Sequence, residues 1–317
     1  MLDLAPRNVV VALFAAIVPT ALAGCGGGEA AKGSSAPATE TGAKAVATVH
    51  AIEQAFEAND VKAYGALFTD DVALNVAGRP DVRGRPALEA GFQRLHTLFG
   101  KVRLRARRIF LKGDIAVVEM ITTGTHEGLL DGIAPTHKPV GWMGAEVDRF
   151  APDGRIKERR VYFDGATAVA QAKGAGRPIP EEAPLVVVDG TRTGDTNATI
   201  LDHMDRAWEQ HEEAKWTALL TDDVEWDDLA SPKPVRGRAN LKGQWSGAAI
   251  RDATTSAITT WPVGSFVIDE SSLSGLQNGR LVALYQLRIA EVNDGKITRG
   301  WTYVNGLDLQ AQLGASK

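Results

Sequence analysis

The sequence predicts an α+β chain folded as two tandem cone-shaped domains, and three observations carry that prediction: length, an internal duplication, and a switch from helical to strand periodicity inside each copy. At roughly 150 residues per domain, 317 residues leave room for about two domains. With 44% apolar and 23% charged side chains, the composition is that of an ordinary globular protein. The 39 acidic against 35 basic residues give a net charge of -4 with no Lys/Arg blocks, which argues against a nucleic-acid partner. A single cysteine excludes a disulfide framework.

The duplication is read from landmarks that recur in order. Thr69-Asp70-Asp71-Val72 returns as Thr221-Asp222-Asp223-Val224, and Val82-Arg83-Gly84-Arg85 as Val235-Arg236-Gly237-Arg238, at offsets of 152 and 153. Glu119 and Gly124 match Glu270 and Gly275, and Asp153-Gly154-Arg155-Ile156 matches Asp294-Gly295-Lys296-Ile297. The offset falls to 141 at this last match, so the second copy lacks about ten residues around Leu129–Lys138. These limits place domain one at 45-172, a Gly/Pro-rich linker with one apolar patch, Leu185–Val188, at 173-194, and a shortened, degenerate-looking domain two at 195-313.

Each copy opens with an amphipathic helix, on Val49, Ile52 and Phe56 in the first and Leu201, Met204 and Trp208 in the second. A short helix follows (Tyr64 and Leu67; Trp216 and Leu219), ended by Thr-Asp-Asp as a turn. A brief strand (72-76; 224-228), a Gly-Arg turn and a third helix (Leu88, Phe92, Leu95; Leu241, Trp245) come next. Val102, Leu104 and Ala106 then alternate with Arg103, Arg105 and Arg107, the pattern of a sheet with one wet face. Further strands are predicted at 115-125, 139-150 and 155-163, the last two joined by a hairpin turn at Asp153-Gly154. The outcome is a strongly curved, mostly antiparallel sheet wrapped by about three helices, with a cavity at its open end.

Ahead of the domains, Val9–Ala23 is an apolar run ending in Leu22-Ala23-Gly24-Cys25. Its length suits a signal peptide better than a membrane span. The last four residues resemble the lipobox of bacterial lipoproteins, which implies cleavage after residue 24 and lipidation of Cys25. Residues 25-44 are polar and rich in Gly, Ala, Ser and Thr, the composition of a flexible tether. The expected location is therefore the bacterial cell envelope, lipid-anchored and facing the periplasm or the exterior.

The element order, with Gly124-Thr125-His126-Glu127-Gly128, Pro135-Thr136, and Asp153-Gly154-Arg155-Ile156 leading to Val161-Tyr162-Phe163-Asp164, resembles the SnoaL-like branch of the nuclear transport factor 2-like superfamily. The resemblance spans both copies. It implies a cone that hosts cyclases, isomerases, dehydratases or purely binding proteins. Its cyclases use neither metal nor cofactor: a pocket carboxylate takes a proton beside a carbonyl, and donors stabilise the enolate.

In domain one the candidates are Glu146, His126 and Asp148 for catalysis, with Trp142, Tyr162 and Asp164 for ligand binding. Strand alternation puts Trp142, Gly144, Glu146 and Asp148 on one face, either lining the cone or facing solvent. Glu146 falls where relatives carry an acid, and His126 where a histidine often follows Gly-Thr. His126 is read as a donor to substrate or as a strand-end residue bonded to a loop. A zinc site from His126, Glu127 and His137 lacks a ligand motif.

In domain two, Asp228 falls where the superfamily's ketosteroid isomerases carry a proton-shuttling aspartate. Met204 stands where they use a tyrosine, and Asp227 and Asp228 could equally be loop acids. The missing loop, Leu276-Gln277-Asn278-Gly279 in place of the Thr-His-Glu-Gly motif, and Asn305 in place of Asp164 direct the chemistry to domain one. A small hydrophobic molecule is the expected ligand, and the two copies could pair as a covalent pseudo-dimer. Three functions remain open: a cofactor-independent cyclase or isomerase, a non-catalytic ligand-binding lipoprotein, and an envelope scaffold.

Overall fold

The structure, a computed structural model, describes residues 39–79, 81–190, 197–245 and 250–314. The signal peptide, Cys25, most of the tether and 191–194 of the linker lie outside the described residues. Among the described residues no helix is long and apolar enough to cross a membrane.

Domain one begins with α1 (Glu40–Ala58), so the last residues assigned to the tether, 40-44, are helical. The cause is a local N-cap, in which Thr39 accepts from the Gly42 amide with Glu40 in the first turn. Asn59 in the left-handed region ends α1, and Asp60 caps α2 (Val61–Ala66) through the amides of Lys62 and Ala63. The Thr-Asp-Asp segment is not a turn. It lies inside β1 (Phe68–Val76), where the register with β6 shifts between Phe68 and Ala73 and accommodates the polar residues at a bulge. A two-residue β2 (Val82–Arg83) precedes the Gly-Arg turn, where Gly84 takes a φ of 85° and leads into α3 (Arg85–Leu98). The long strands follow: β3 (Phe99–Lys112), β4 (Ile115–His126), β5 (Pro139–Phe150) and β6 (Ile156–Phe163).

Two elements were not read from the sequence. Asp164 caps a fourth helix, α4 (Gly165–Ala172), and the linker patch becomes β7 (Val186–Asp189), which pairs parallel with β3. The first sheet therefore runs β2-β1-β6-β5-β4-β3-β7.

Domain two repeats the plan. Its elements are α5 (Ile200–Glu209), α6 (Glu213–Ala218), β8 (Leu220–Asp228), β9 (Val235–Arg236), α7 (Arg238–Trp245), β10 (Arg251–Val263), β11 (Phe266–Gln277), β12 (Arg280–Asn293), β13 (Lys296–Val304) and α8 (Gly306–Gln312). In both sheets the first strand joins the last one parallel and the remaining long pairs are antiparallel. The repeat extends to single hydrogen bonds. Gln171 bonds both the amide and the carbonyl of Gly141 at 2.8 Å, and Gln312 does the same to Ala283 at 2.8 and 2.7 Å.

The inner face of each sheet holds its own helices, whereas the outer faces share one core. Phe110, Val117, Ile121, Ala145, Val147 and Tyr162 pack with Trp261, Phe266, Ile268, Leu287, Ile289 and Tyr303. Two fully buried glutamates are set into this layer. Glu270 accepts from the Tyr162 hydroxyl at 2.8 Å and from Arg160 at 2.6 and 2.7 Å. Glu119 accepts from the Tyr303 hydroxyl and from Arg108, whose guanidinium lies 3.8 Å from the Trp301 ring centroid. The Tyr-Glu bonds are reciprocal, each tyrosine reaching the glutamate of the other domain. Tyr162 is therefore an interface residue and not part of a ligand pocket; strand alternation turns it away from the cone.

Candidate functional site

The two cones share a plan but differ inside. In domain one the face carrying Trp142, Glu146 and Asp148 does turn inward, and the three side chains are buried. The space around them is filled. Trp142 lies 5.1 Å from Phe99 and 6.2 Å from Phe163, while Phe56, Tyr64, Phe68 and Phe92 form a contiguous aromatic group beneath. Asp148 holds the buried Arg159 through bonds of 2.7 and 2.6 Å, and Glu146 reaches the same guanidinium at 2.8 Å. Burial pushes Glu146 up to about 7, with the neighbouring Asp148 charge adding to the rise and Arg159 opposing both. The pair is thus bound to an arginine that sequence reading missed. That arginine lies beside Phe68 and, from the neighbouring strand β6, pairs in register with Asp148.

His126 does not join this group. Its Nδ1 lies 3.0 Å from the Thr136 hydroxyl and accepts from the Thr136 amide at 3.3 Å, so the strand-end reading describes it. Glu127 pairs instead with the exposed His137 at 2.7 Å. Among the described residues no group of three or more His, Cys, Asp or Glu is placed to hold a metal. The Asp164 carboxylate caps α4 and accepts from the Gly306 amide of domain two at 2.9 Å, and with Trp142 it lines a cleft between the domains.

Domain two, the copy expected to be degenerate, contains an apolar cavity of about 240 Å³. Two substitutions and one deletion account for the room. The pairing of Gln286 with Val304 corresponds to that of Gly144 with Phe163, so Val304 replaces Phe163 and, two residues earlier, Leu284 replaces Trp142. The third is the deletion itself. The domain-one loop returns through the Leu98 carbonyl, which accepts from the amides of Glu127 and Gly128, and Leu130 packs on the core; β11 and β12 are joined directly at Gln277–Arg280. The shortening that suggested decay is what leaves the cone open.

Trp208, Trp216 and Trp226 wall this cavity together with Met204, Leu241 and Leu309. Trp226 occupies space available only because residue 300 is glycine, since a Cβ there would come within 2.2 Å of the indole. Glycine thus stands on β13 where Arg159 stands on β6, and the strand supporting domain one's ion cluster supports an indole in domain two. The position of Glu146 is taken by Arg288, which Asp205 holds at 2.5 and 2.6 Å and Asp269 at 2.7 Å. Replacing Leu284 with Trp restores the domain-one filling. The expected result is loss of at least tenfold in affinity for any apolar probe that wild type binds, read by tryptophan fluorescence, with a melting temperature within a few degrees of wild type.

Asp228 is the cavity carboxylate without a cationic partner among the described ion pairs. Its Oδ1 accepts from the Ala230 amide at 3.0 Å and its Oδ2 from the Ser231 hydroxyl at 3.4 Å. Burial raises it to about 6, with Asp164 and Asp227 adding to the rise. A carboxyl raised in the folded state contributes stability that is complete below its unfolded pKa and is lost as pH climbs through the folded one. Stability should therefore decline between about pH 4 and pH 6, and Asp228→Asn should flatten that part of a denaturant-midpoint profile. Beside Asp228 in the strand register is Thr302, whose hydroxyl oxygen accepts from Trp226 Nε1 at 2.9 Å and keeps its own proton free to donate.

Family models match the chain twice: a SnoaL-like polyketide cyclase model over residues 46–172 and a SnoaL-like domain model over 200–300. Solved structures similar to it include IdmH of Streptomyces antibioticus, described as a candidate polyketide cyclase, at 23% identity and TM-score 0.38, covering 41% of this chain and 98% of that one. A candidate polyketide cyclase of Xanthomonas campestris is 22% identical with TM-score 0.37, covering 42% and 99%. A protein of ketosteroid isomerase-like fold from Catenulispora acidiphila, solved with trimethylamine, is 20% identical with TM-score 0.35, covering 38% and 95%. A search of curated proteins gives no match. With both halves of its fold matched by these models, the chain belongs to the SnoaL-like family and carries two SnoaL-like domains in tandem.

Proposed function

We propose that the protein binds a small apolar carbonyl compound in the domain-two cone and moves a proton on it without a cofactor, as a cyclase- or isomerase-type enzyme. The supporting observation is the placement of Asp228, an unpaired carboxylate raised toward neutrality inside an indole-walled cavity. Ionised Asp228 removes a proton from the carbon next to the carbonyl, the C–H electron pair moves into the enolate, and the Thr302 hydroxyl donates to the developing oxyanion. Return of the proton from Asp228 to another carbon of a conjugated enolate completes an isomerisation; attack of the enolate carbon on a second carbonyl breaks that carbonyl's π bond, and the resulting alkoxide takes the proton back from Asp228 to complete a cyclisation. The test is exchange of the α-hydrogens of a simple aromatic ketone, acetophenone, for deuterium in heavy water.

One observation favours binding without turnover. Met204 provides no hydroxyl where the superfamily's isomerases use a tyrosine, and the Arg288 donors are taken by two aspartates. Saturable acetophenone binding with no deuterium incorporation would select that reading.

The tandem arrangement is read as a covalent counterpart of a two-fold dimer, supported by the reciprocal Tyr162–Glu270 and Tyr303–Glu119 bonds. The proposal puts the protein at the bacterial cell envelope, supported by the lipobox-like Leu22-Ala23-Gly24-Cys25, with lipidated Cys25 as the anchor and the following segment as a tether. Cys25→Ala should move the protein from the membrane fraction to the soluble one; retention in the membrane fraction would remove the anchor from the account.

A further inference from the structure

The wall of the domain-two cavity is not built by domain two alone. The turn after β8, Leu229–Pro234, closes one side of the cavity and carries the groups that bond Asp228. On its other side lies a cleft of about 310 Å³ against domain one and the interdomain segment. Lys233, flanked by Pro232 and Pro234, lines both spaces. Inside the turn, the Ser231 amide donates to the Asp228 carbonyl at 2.9 Å, and further bonds to that carbonyl and to the Ser231 carbonyl come from outside the turn.

Arg177, in the segment between the domains, supplies those bonds. Its Nη1 donates to the Ser231 carbonyl at 2.8 Å, the Asp228 carbonyl at 3.1 Å and Asp227 Oδ1 at 2.8 Å, and its Nη2 donates to Asp227 Oδ2 at 2.9 Å. The residue is anchored in turn, because its own carbonyl accepts from Gln171 of α4 at 2.9 Å, the side chain that also clamps Gly141 of β5. Pro178 then restricts the backbone that follows. A continuous path therefore runs from the domain-one sheet through Gln171 and Arg177 to the backbone on either side of the Asp228 carboxylate.

We propose that Arg177 is a positioning residue for the domain-two site: its planar guanidinium fixes the turn that presents and partly buries Asp228, so the interdomain segment, anchored on domain one through Gln171, completes the cavity of the second domain. This rests on the reading of Asp228 given above. The guanidinium fork holds two carbonyls and a bidentate carboxylate at once in a fixed plane, whereas an ammonium offers three rotatable donors around a single point of charge. It also gives the interdomain segment a use beyond connecting the copies, since domain two alone, 195-313, lacks the residue that braces its cavity wall.

The test is a carbon-NMR titration of the Asp228 carboxyl in the full chain, which reads the site whether or not a ligand is known. The charged groups around Asp228 are Asp164, Asp227, Arg177, Lys233 and the Asp205–Arg288 pair. Two roles for Arg177 predict opposite signs. If it holds the turn, Arg177→Ala admits water and the Asp228 pKa falls by about one unit or more toward the ordinary aspartate value. If it serves only as a countercharge, its loss leaves Asp227 unpaired beside Asp228 and the pKa rises. Arg177→Lys keeps the charge and the ion pair with Asp227, and the proposal expects it to lower the pKa as the alanine variant does. A rise or no change in the alanine variant, or full rescue by lysine, overturns the proposal. Failure of wild type to bind acetophenone would instead count against the proposed function and leave the titration result standing.

Discussion

Asp228→Asn is expected to lower α-hydrogen exchange of a bound ketone by about 10²- to 10⁴-fold, the range associated with loss of a positioned general base, while changing the ketone's affinity less than about threefold. The asymmetry follows from the cavity, whose walls are mostly indole and aliphatic, so binding draws on apolar burial and the acid contributes to the chemical step. Wild-type exchange should rise with pH through about 6, because the base acts ionised and its proton leaves in that range. Glu146→Gln is the contrasting control. Its carboxylate is committed to Arg159 in a filled interior, so exchange should stay within about twofold of wild type. An inactive Glu146→Gln beside an active Asp228→Asn would return the chemistry to domain one.

The second large effect concerns the layer between the sheets. Arg160→Ala should destabilise the protein by about 3–5 kcal/mol, the usual consequence of removing one partner from a buried ion pair, measured as a shift in denaturant midpoint at constant slope. Glu270 would keep only the Tyr162 hydroxyl in a site with no access to water. Adding Glu270→Gln should recover much of the loss, since a neutral amide does not carry the desolvation cost of an isolated carboxylate. A loss below about 1 kcal/mol, the range of exposed pairs, would show that the glutamate is solvated.

The legibility of this fold varied with the range of the interactions involved. Strand periods gave β4, β5 and β6 to within a residue, and helix periods gave the presence of α1 and α3 without their ends, because each buries one continuous face. The α4 helix went unseen because Asp164, marked as a site residue, is its N-cap, and a capping aspartate and a ligand-binding one look identical in sequence. The 185-188 patch looked like linker because its strand partner, β3, is about eighty residues away.

At the site, Glu146 and Asp228 were marked as candidate carboxylates, Glu146 on a face that could line the cone or meet solvent and Asp228 as a proton shuttle or a loop acid, but their partners were not found. Arg159 and Arg288 decide which acid is committed, and both act across strands. Gly300 opposite Trp226, and Leu284 and Val304 in place of Trp142 and Phe163, show that room in a cone depends on volumes summed over several elements. A shortened loop therefore reads as erosion in one dimension and as an open mouth in three.

The account's central claim is that the ligand site lies in the open cone of domain two and not in the filled cone of domain one. The most direct measurement is a crystal structure of the full chain soaked with acetophenone. The account predicts the ketone among Trp208, Trp216 and Trp226 with its methyl carbon toward Asp228 and its oxygen toward Thr302. Density beside Glu146 and Trp142, with the domain-two cavity empty at saturating ketone, would contradict it.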